Sequence, residues 1–226
     1  MQQDGQAPVA GGSAVPRRHE VIEEIANGIT HGVGLLLAVA GLVVLLVLSA
    51  TRGTAVHIWS SAIYGASLIA LYAASTLYHS VRDPRKKRVL RIVDHSAIYL
   101  LIAGSYTPFT LVSLRGGWGW SLFGVVWGLA LLGLVFKLFF TGRFERVSLA
   151  IYLGMGWLAV VAVKPMLEHV PAAGLILLAL GGVCYTAGTW FYARGHLPFR
   201  HAVWHLFVLG GSACHYAAVV TTVLPG

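Results

Sequence analysis

"IANGITHGVGLLLAVAGLVVLLVLSAT", residues 25–51, is a run of 27 residues between Glu24 and Arg52 without a single Asp, Glu, Lys or Arg. About 20 apolar residues suffice for a helix to cross the hydrocarbon core of a bilayer, so this run already points to lipid. Six more such runs follow. They hold 29 residues between Arg52 and Arg82, 20 between Asp94 and Arg115, and 21 between Arg115 and Lys137. Another 17 lie between Arg146 and Lys164, 25 between Glu168 and Arg194, and 26 beyond Arg200. The composition agrees, with 57% hydrophobic and 11% charged residues in a chain of 226 and a mean hydropathy of +0.76. A soluble domain carries roughly 25% charged residues. The expected fold is therefore an all-α integral membrane protein, a seven-transmembrane helix bundle. Its spans fall near 28–50, 57–80, 94–114, 118–140, 147–164, 172–193 and 202–223. Helices are required because every backbone amide in lipid needs an internal partner, and the weak alternation of a membrane barrel is not the pattern seen.

Seven spans place the termini on opposite faces, and the basic residues decide which face is which. Thirteen of the sixteen Lys and Arg fall on the side of the N-terminus, against Arg52, Arg115 and Lys164 on the other. The positive-inside rule then puts the N-terminus in the cytoplasm and the C-terminus outside, in a bacterial inner membrane. The strongest anchor is the stretch "RDPRKKRVLR" at 82–91, read as a loop against anionic lipid headgroups. Because the formal charge of +8 is confined to segments between spans, it argues for topology and not for nucleic acid. Cys184 and Cys214 lie within apolar stretches and read as packing residues. Residues 1–19 are polar and rich in Gly, Ala and Pro, with no apolar core before Arg17, so they read as a disordered cytoplasmic tail and not as a signal peptide. Residues 20–226 form one domain.

Orientation brings distant ionisable residues to one depth. His79 closes the second span at its cytoplasmic end, Asp94 opens the third there, and His201 and His205 open the seventh in "HAVWH". Positions i and i+4 differ by about 40° around a helix axis and about 6 Å along it, so two such imidazoles can converge on one ion. Ser75 shares the face of His79, one turn deeper. Three imidazoles with an open fourth position suit zinc, which lowers the pKa of a water there to about 7. A lone HxxxH is a weak motif. The coincidence of depth on three helices strengthens it, because ionisable groups within spans are functional by default.

The same residues carry a resemblance. "EEIANGITHGVG" near the start, Ser75 with His79, "DHSAIYLLIAGSYTPF" at 94–109 and "HAVWHLFVLGGSACHY" at 201–216 together make the chain resemble the hemolysin III family. That family is grouped with the progestin and adipoQ receptors, which include the adiponectin receptors, and the resemblance covers the chain after residue 20. It implies seven helices, a cytoplasmic N-terminus and a zinc ion held by His79, His201 and His205. Through a wider kinship with alkaline ceramidases, it implies a metal-activated water acting on a lipid amide, with Asp94 and Ser75 assisting.

Other polar residues admit plainer readings. Glu23 and Glu24 suit the positive end of the first helix, while Asn27 and His31 serve either the metal site or helix packing. His95 points about 100° from Asp94, toward headgroups or a neighbouring helix. His215, fourteen positions beyond His201, lies about 21 Å further along the helix and cannot share the ion. Interface solvation accounts for His19, His57, His169 and His196. Pro108 is expected to kink the third span and make room between helices. Three functions fit. They are a zinc-dependent hydrolase of a lipid amide or ester tied to membrane lipid homeostasis, a membrane sensor with a structural zinc closed by Asp94, and a cytolytic protein. The expected partners are membrane lipids and zinc.

Overall fold

The computed structural model describes residues 18–194 and 197–224. The expected tail, apart from its last two residues, and His196 lie outside them. Among the described residues, seven helices are long and apolar enough to cross a membrane. The first span is Arg18–Arg52, the second Ala55–Ser80, the third Pro84–Leu114 and the fourth Gly116–Phe140. Glu145–His169, Ala172–Ala193 and Arg200–Val223 are the fifth, sixth and seventh.

Two helices start some ten residues earlier than expected, because an interval between charges measures only the part of a helix that lies in lipid. The basic stretch expected as a loop is instead the first turns of the third span. Asp83 accepts a hydrogen bond from the Lys86 amide at 2.8 Å, and Pro84 occupies the first helical position. Both are strong start signals, since the capping oxygen and the ring each suit an end with free amides.

Three spans change their winding, and the seventh does so at its end, in π-helical turns over Val219–Val223. Beyond Pro108 the third span passes into π-helical turns over Phe109–Leu114, so the expected irregularity takes that form. The fifth span breaks at Trp157 and continues as a 3₁₀ stretch, Leu158–Ala162, before Val163–His169. A break in lipid frees backbone groups that need partners. Tyr106 of the third span supplies them: its hydroxyl reaches the carbonyls of Met155 and Gly156 at 2.9 and 2.8 Å and accepts from the Ala159 amide at 2.9 Å.

The second and third spans form the centre, with 50% and 67% of their apolar windows buried, against 17% for the fifth. Leu68, Tyr72, Leu101 and Val208 belong to one core between the first, second, third and seventh spans. Tyr99, Val126, Ala130 and Met155 belong to another between the third, fourth and fifth. The first span meets the second closely at Gly34, where a Cβ would stand 2.6 Å from the Tyr72 ring. Small residues at such points let membrane helices approach. Tyr72 donates to Ser212 at 2.9 Å and Tyr185 shares a 3.0 Å hydrogen bond with the same hydroxyl, which ties the second, sixth and seventh spans together.

Candidate metal centre

His79, His201 and His205 come together at the end of the bundle where the first span begins, the end expected to face the cytoplasm. One ligand atom of each lies within 4.8 Å of the others. The ring centroids stand 4.9 Å apart for His79 and His201, 4.6 Å for His201 and His205, and 5.1 Å for His79 and His205. The seventh span delivers two rings because positions four apart share a face, and the second span delivers the third ring from its last turn. All three could hold a metal ion.

Hydrogen bonds fix which nitrogen two of the rings offer. His205 Nδ1 lies 3.3 Å from the Asn27 carbonyl and 3.3 Å from the Thr30 hydroxyl. A carbonyl only accepts, and Thr30 already donates to the carbonyls of Ala26 and Asn27, so Nδ1 carries the proton and Nε2 keeps its lone pair. His79 Nδ1 faces Glu24 Oε2 at 3.4 Å, with the same consequence, because a carboxylate only accepts. His79 Nε2 is then a buried lone pair without a partner. Such an atom is costly in an apolar interior unless something binds it. Three imidazoles, one with a buried nitrogen that no protein group meets, fit the donor set of zinc with a position to spare.

Asp94 and Ser75 are both buried and line one cavity with His201 and His205. Ser75 faces Asp94 without reaching hydrogen-bond geometry, and its hydroxyl is buried with no partner. Asp94 stands outside the three-histidine cluster. The cavity holds about 370 Å³ and runs from this polar end through apolar walls, including Leu101, Phe109 and Met166, to His215 in the outer half. That volume lies within the range of small-molecule sites.

Several residues differ from their simplest sequence reading. Glu24 faces a candidate ligand histidine and pairs with Lys87, so it does more than meet a helix dipole, and Lys87 has a partner beyond headgroups. The Glu23 carboxylate accepts from the His201 amide at 3.4 Å. His31 is buried and stacked on His205. Glu24, Asn27 and His31 recur at intervals of three and four, so they form one stripe of the first helix; that spacing was the available signal. His57 is buried and not solvated, with Nδ1 2.9 Å from the Thr54 hydroxyl. His95, by contrast, meets a neighbouring helix as expected: it is buried, with Nδ1 3.8 Å from Glu145 of the fifth span.

The family model described as "Haemolysin-III related" matches residues 19–216. Hemolysin-3 of Bacillus cereus is 48% identical over 205 residues, covering 91% of this chain and 94% of its own length. The Hemolysin-3 homolog of Bacillus subtilis (strain 168) is 52% identical over 198 residues, 88% of this chain and 93% of its own. The human Monocyte to macrophage differentiation factor is 34% identical over 205 residues, 87% of this chain and 83% of its own. No solved structure matches. With seven membrane-spanning helices and a profile match across nearly its whole length, the chain is a multi-pass membrane protein of the haemolysin-III-related family.

Proposed function

We propose that the protein is a zinc-dependent hydrolase of a lipid amide or ester, with His79, His201 and His205 as metal ligands. The single observation that carries this reading is where the cluster stops. Three imidazole ligand atoms gather within 4.8 Å, and the buried carboxylate of Asp94 lines the adjoining cavity without joining them. A catalytic zinc site keeps one position open, whereas a structural one is closed by a fourth protein ligand.

Zinc supplies Lewis acidity when bound, toward a carbonyl oxygen and toward water. The chain supplies the rest. Asp94 takes the proton of the attacking water as general base and returns it to the leaving amine or alkoxide. Ser75, one turn deeper than His79 and facing Asp94, offers its free hydroxyl to orient that water or the developing oxyanion. The apolar cavity walls seat the acyl chain and exclude bulk water from the reacting carbonyl.

The test is hydrolysis of a panel of N-acyl and O-acyl lipids by purified protein in detergent. Activity on at least one member, lost on zinc chelation and restored by zinc, is expected. A zinc-loaded protein that cleaves none of the panel favours the second reading, a membrane sensor whose metal pins the second and seventh spans. That reading draws on the number of ties that hold the ligands from the first span.

A further inference from the structure

The three candidate ligands come from the second and seventh spans, yet each is held from the first. Glu24 Oε2 faces His79 Nδ1 at 3.4 Å, Glu23 Oε1 accepts from the His201 amide at 3.4 Å, and the Asn27 carbonyl and Thr30 hydroxyl each lie 3.3 Å from His205 Nδ1. Residues 23, 24, 27, 30 and 31 recur every three or four positions and make one stripe of a helix. Of these contacts, the one at His79 alone places a charged side chain behind a ligand ring. Glu24 is half-exposed, whereas the His79 side chain is buried. The same oxygen, Oε2, also accepts from the Lys87 ammonium.

We propose that Glu24 is a positioning residue for the metal: held by Lys87, it keeps the proton of His79 on Nδ1 and aims the bare Nε2 at the ion. The proposal rests on the metal-site reading above and deepens it. An imidazole has two nitrogens and one proton, and only the tautomer with a free Nε2 offers the buried, unpartnered atom as a ligand. A carboxylate behind the ring selects that tautomer, limits ring rotation and raises the basicity of the ligating nitrogen; losing such a partner lowers metal affinity about 10–100-fold. Lys87 fits the second part of the arrangement. It projects from the capped first turns of the third span, with its ammonium 5.0 Å from the Tyr78 ring centroid, and Tyr78 packs edge-on against His79. The basic stretch that orients the protein in its membrane therefore also bears on the metal site.

The experiment measures zinc affinity by competition with a chromophoric chelator in detergent-solubilised protein. Wild type is compared with Glu24→Gln, Glu24→Ala, Lys87→Ala and the outer-side control Glu168→Ala. Expected is a loss of about 10–100-fold for Glu24→Ala, with smaller losses for Glu24→Gln and Lys87→Ala and none for Glu168→Ala. In ¹⁵N-histidine spectra of the metal-free protein, the His79 signal should move from a single Nδ1–H tautomer to a mixture in Glu24→Ala. Unchanged affinity and an unchanged tautomer in folded Glu24→Gln and Glu24→Ala overturn the proposal. Should Glu24→Ala fail to fold, the near-isosteric Glu24→Gln and the surface change Lys87→Ala decide it by the same readouts. A wild-type protein without zinc, or one in which His205→Ala keeps it, refutes the metal reading itself, and the role of Glu24 falls with it.

Discussion

His31 lies flat against His205, with ring centroids 3.5 Å apart and 14° between the planes. Neither nitrogen of His31 has a hydrogen-bond partner, so its contribution to His205 is contact and not a hydrogen bond. Tyr72 packs against the His31 ring at right angles, with centroids 5.1 Å apart. The stack therefore stiffens one candidate ligand. Replacing His31 by Phe should keep the stack and hold zinc affinity within about threefold of wild type, whereas His31→Ala should weaken it roughly tenfold. Aromatic pairs are worth about 0.5–1.5 kcal/mol beyond their burial, which sets that scale. Equal losses in both variants would show that a nitrogen of His31, and not its face, serves the site.

Lys137 is fully buried near the cytoplasmic end of the fourth span, and its ammonium lies 3.3 Å from Glu145 of the fifth. Glu145 also pairs with Arg91 at 3.1 Å and accepts from the Gly142 amide at 3.1 Å. Glu145→Gln leaves a buried ammonium without its counter-charge. Breaking a fully buried pair costs about 3–5 kcal/mol. With Glu145 a third exposed, roughly 1–3 kcal/mol is expected, read as a lowered melting temperature in detergent. Lys137→Met together with Glu145→Gln should recover part of the loss. A single variant as stable as wild type would mean that Arg91 and water already compensate.

Much of the fold and of the histidine cluster is legible in the sequence. Uncharged intervals located seven spans because charge is expelled from lipid. Equal depth on separate helices located the histidines, because orientation fixes which ends of the spans meet. Lys137 shows where such reading stops: charge counting treats every lysine near a span end as solvated, and only packing reveals that this one is enclosed. Glu24 failed differently. An acidic residue at a helix start has a sufficient local explanation in the dipole, and the local explanation hid a partner 55 residues away. The Asp83–Pro84 start signal, by contrast, was legible and outweighs the run of charges that follows it. The break at Trp157 follows Gly154 and Gly156, residues that weaken a helix, and it is viable because Tyr106 answers the freed backbone groups.

Topology offers a third expectation. Thirteen basic residues against three put the N-terminal side in the cytoplasm. A reporter fused after Gly226 should therefore read as external and one inserted at Arg85 as cytoplasmic. The broken fifth span is where this count is most exposed to error. A cytoplasmic signal at Gly226 would mean that Glu145–His169 enters the bilayer and returns.

Asp94→Asn separates the two functional readings. Asn matches the carboxylate in size and keeps much of its hydrogen bonding but is not a base. If Asp94 moves a proton, zinc content and melting temperature should barely change, while lipid hydrolysis falls by about 10²–10⁴, the usual worth of a positioned general base. If Asp94 instead closes a structural site, zinc affinity and melting temperature should fall together, as they should for His79→Ala, His201→Ala and His205→Ala. His215→Ala serves as the reference, since this ring lies some 21 Å along the helix from His201 and should leave the metal in place. A modest zinc loss in Asp94→Asn would fit a carboxylate that touches the site through water, and a loss as large as that of His205→Ala would not. The position of Asp94 outside the three-imidazole cluster favours the first outcome, because a residue outside the ligand set can change its charge without releasing the metal.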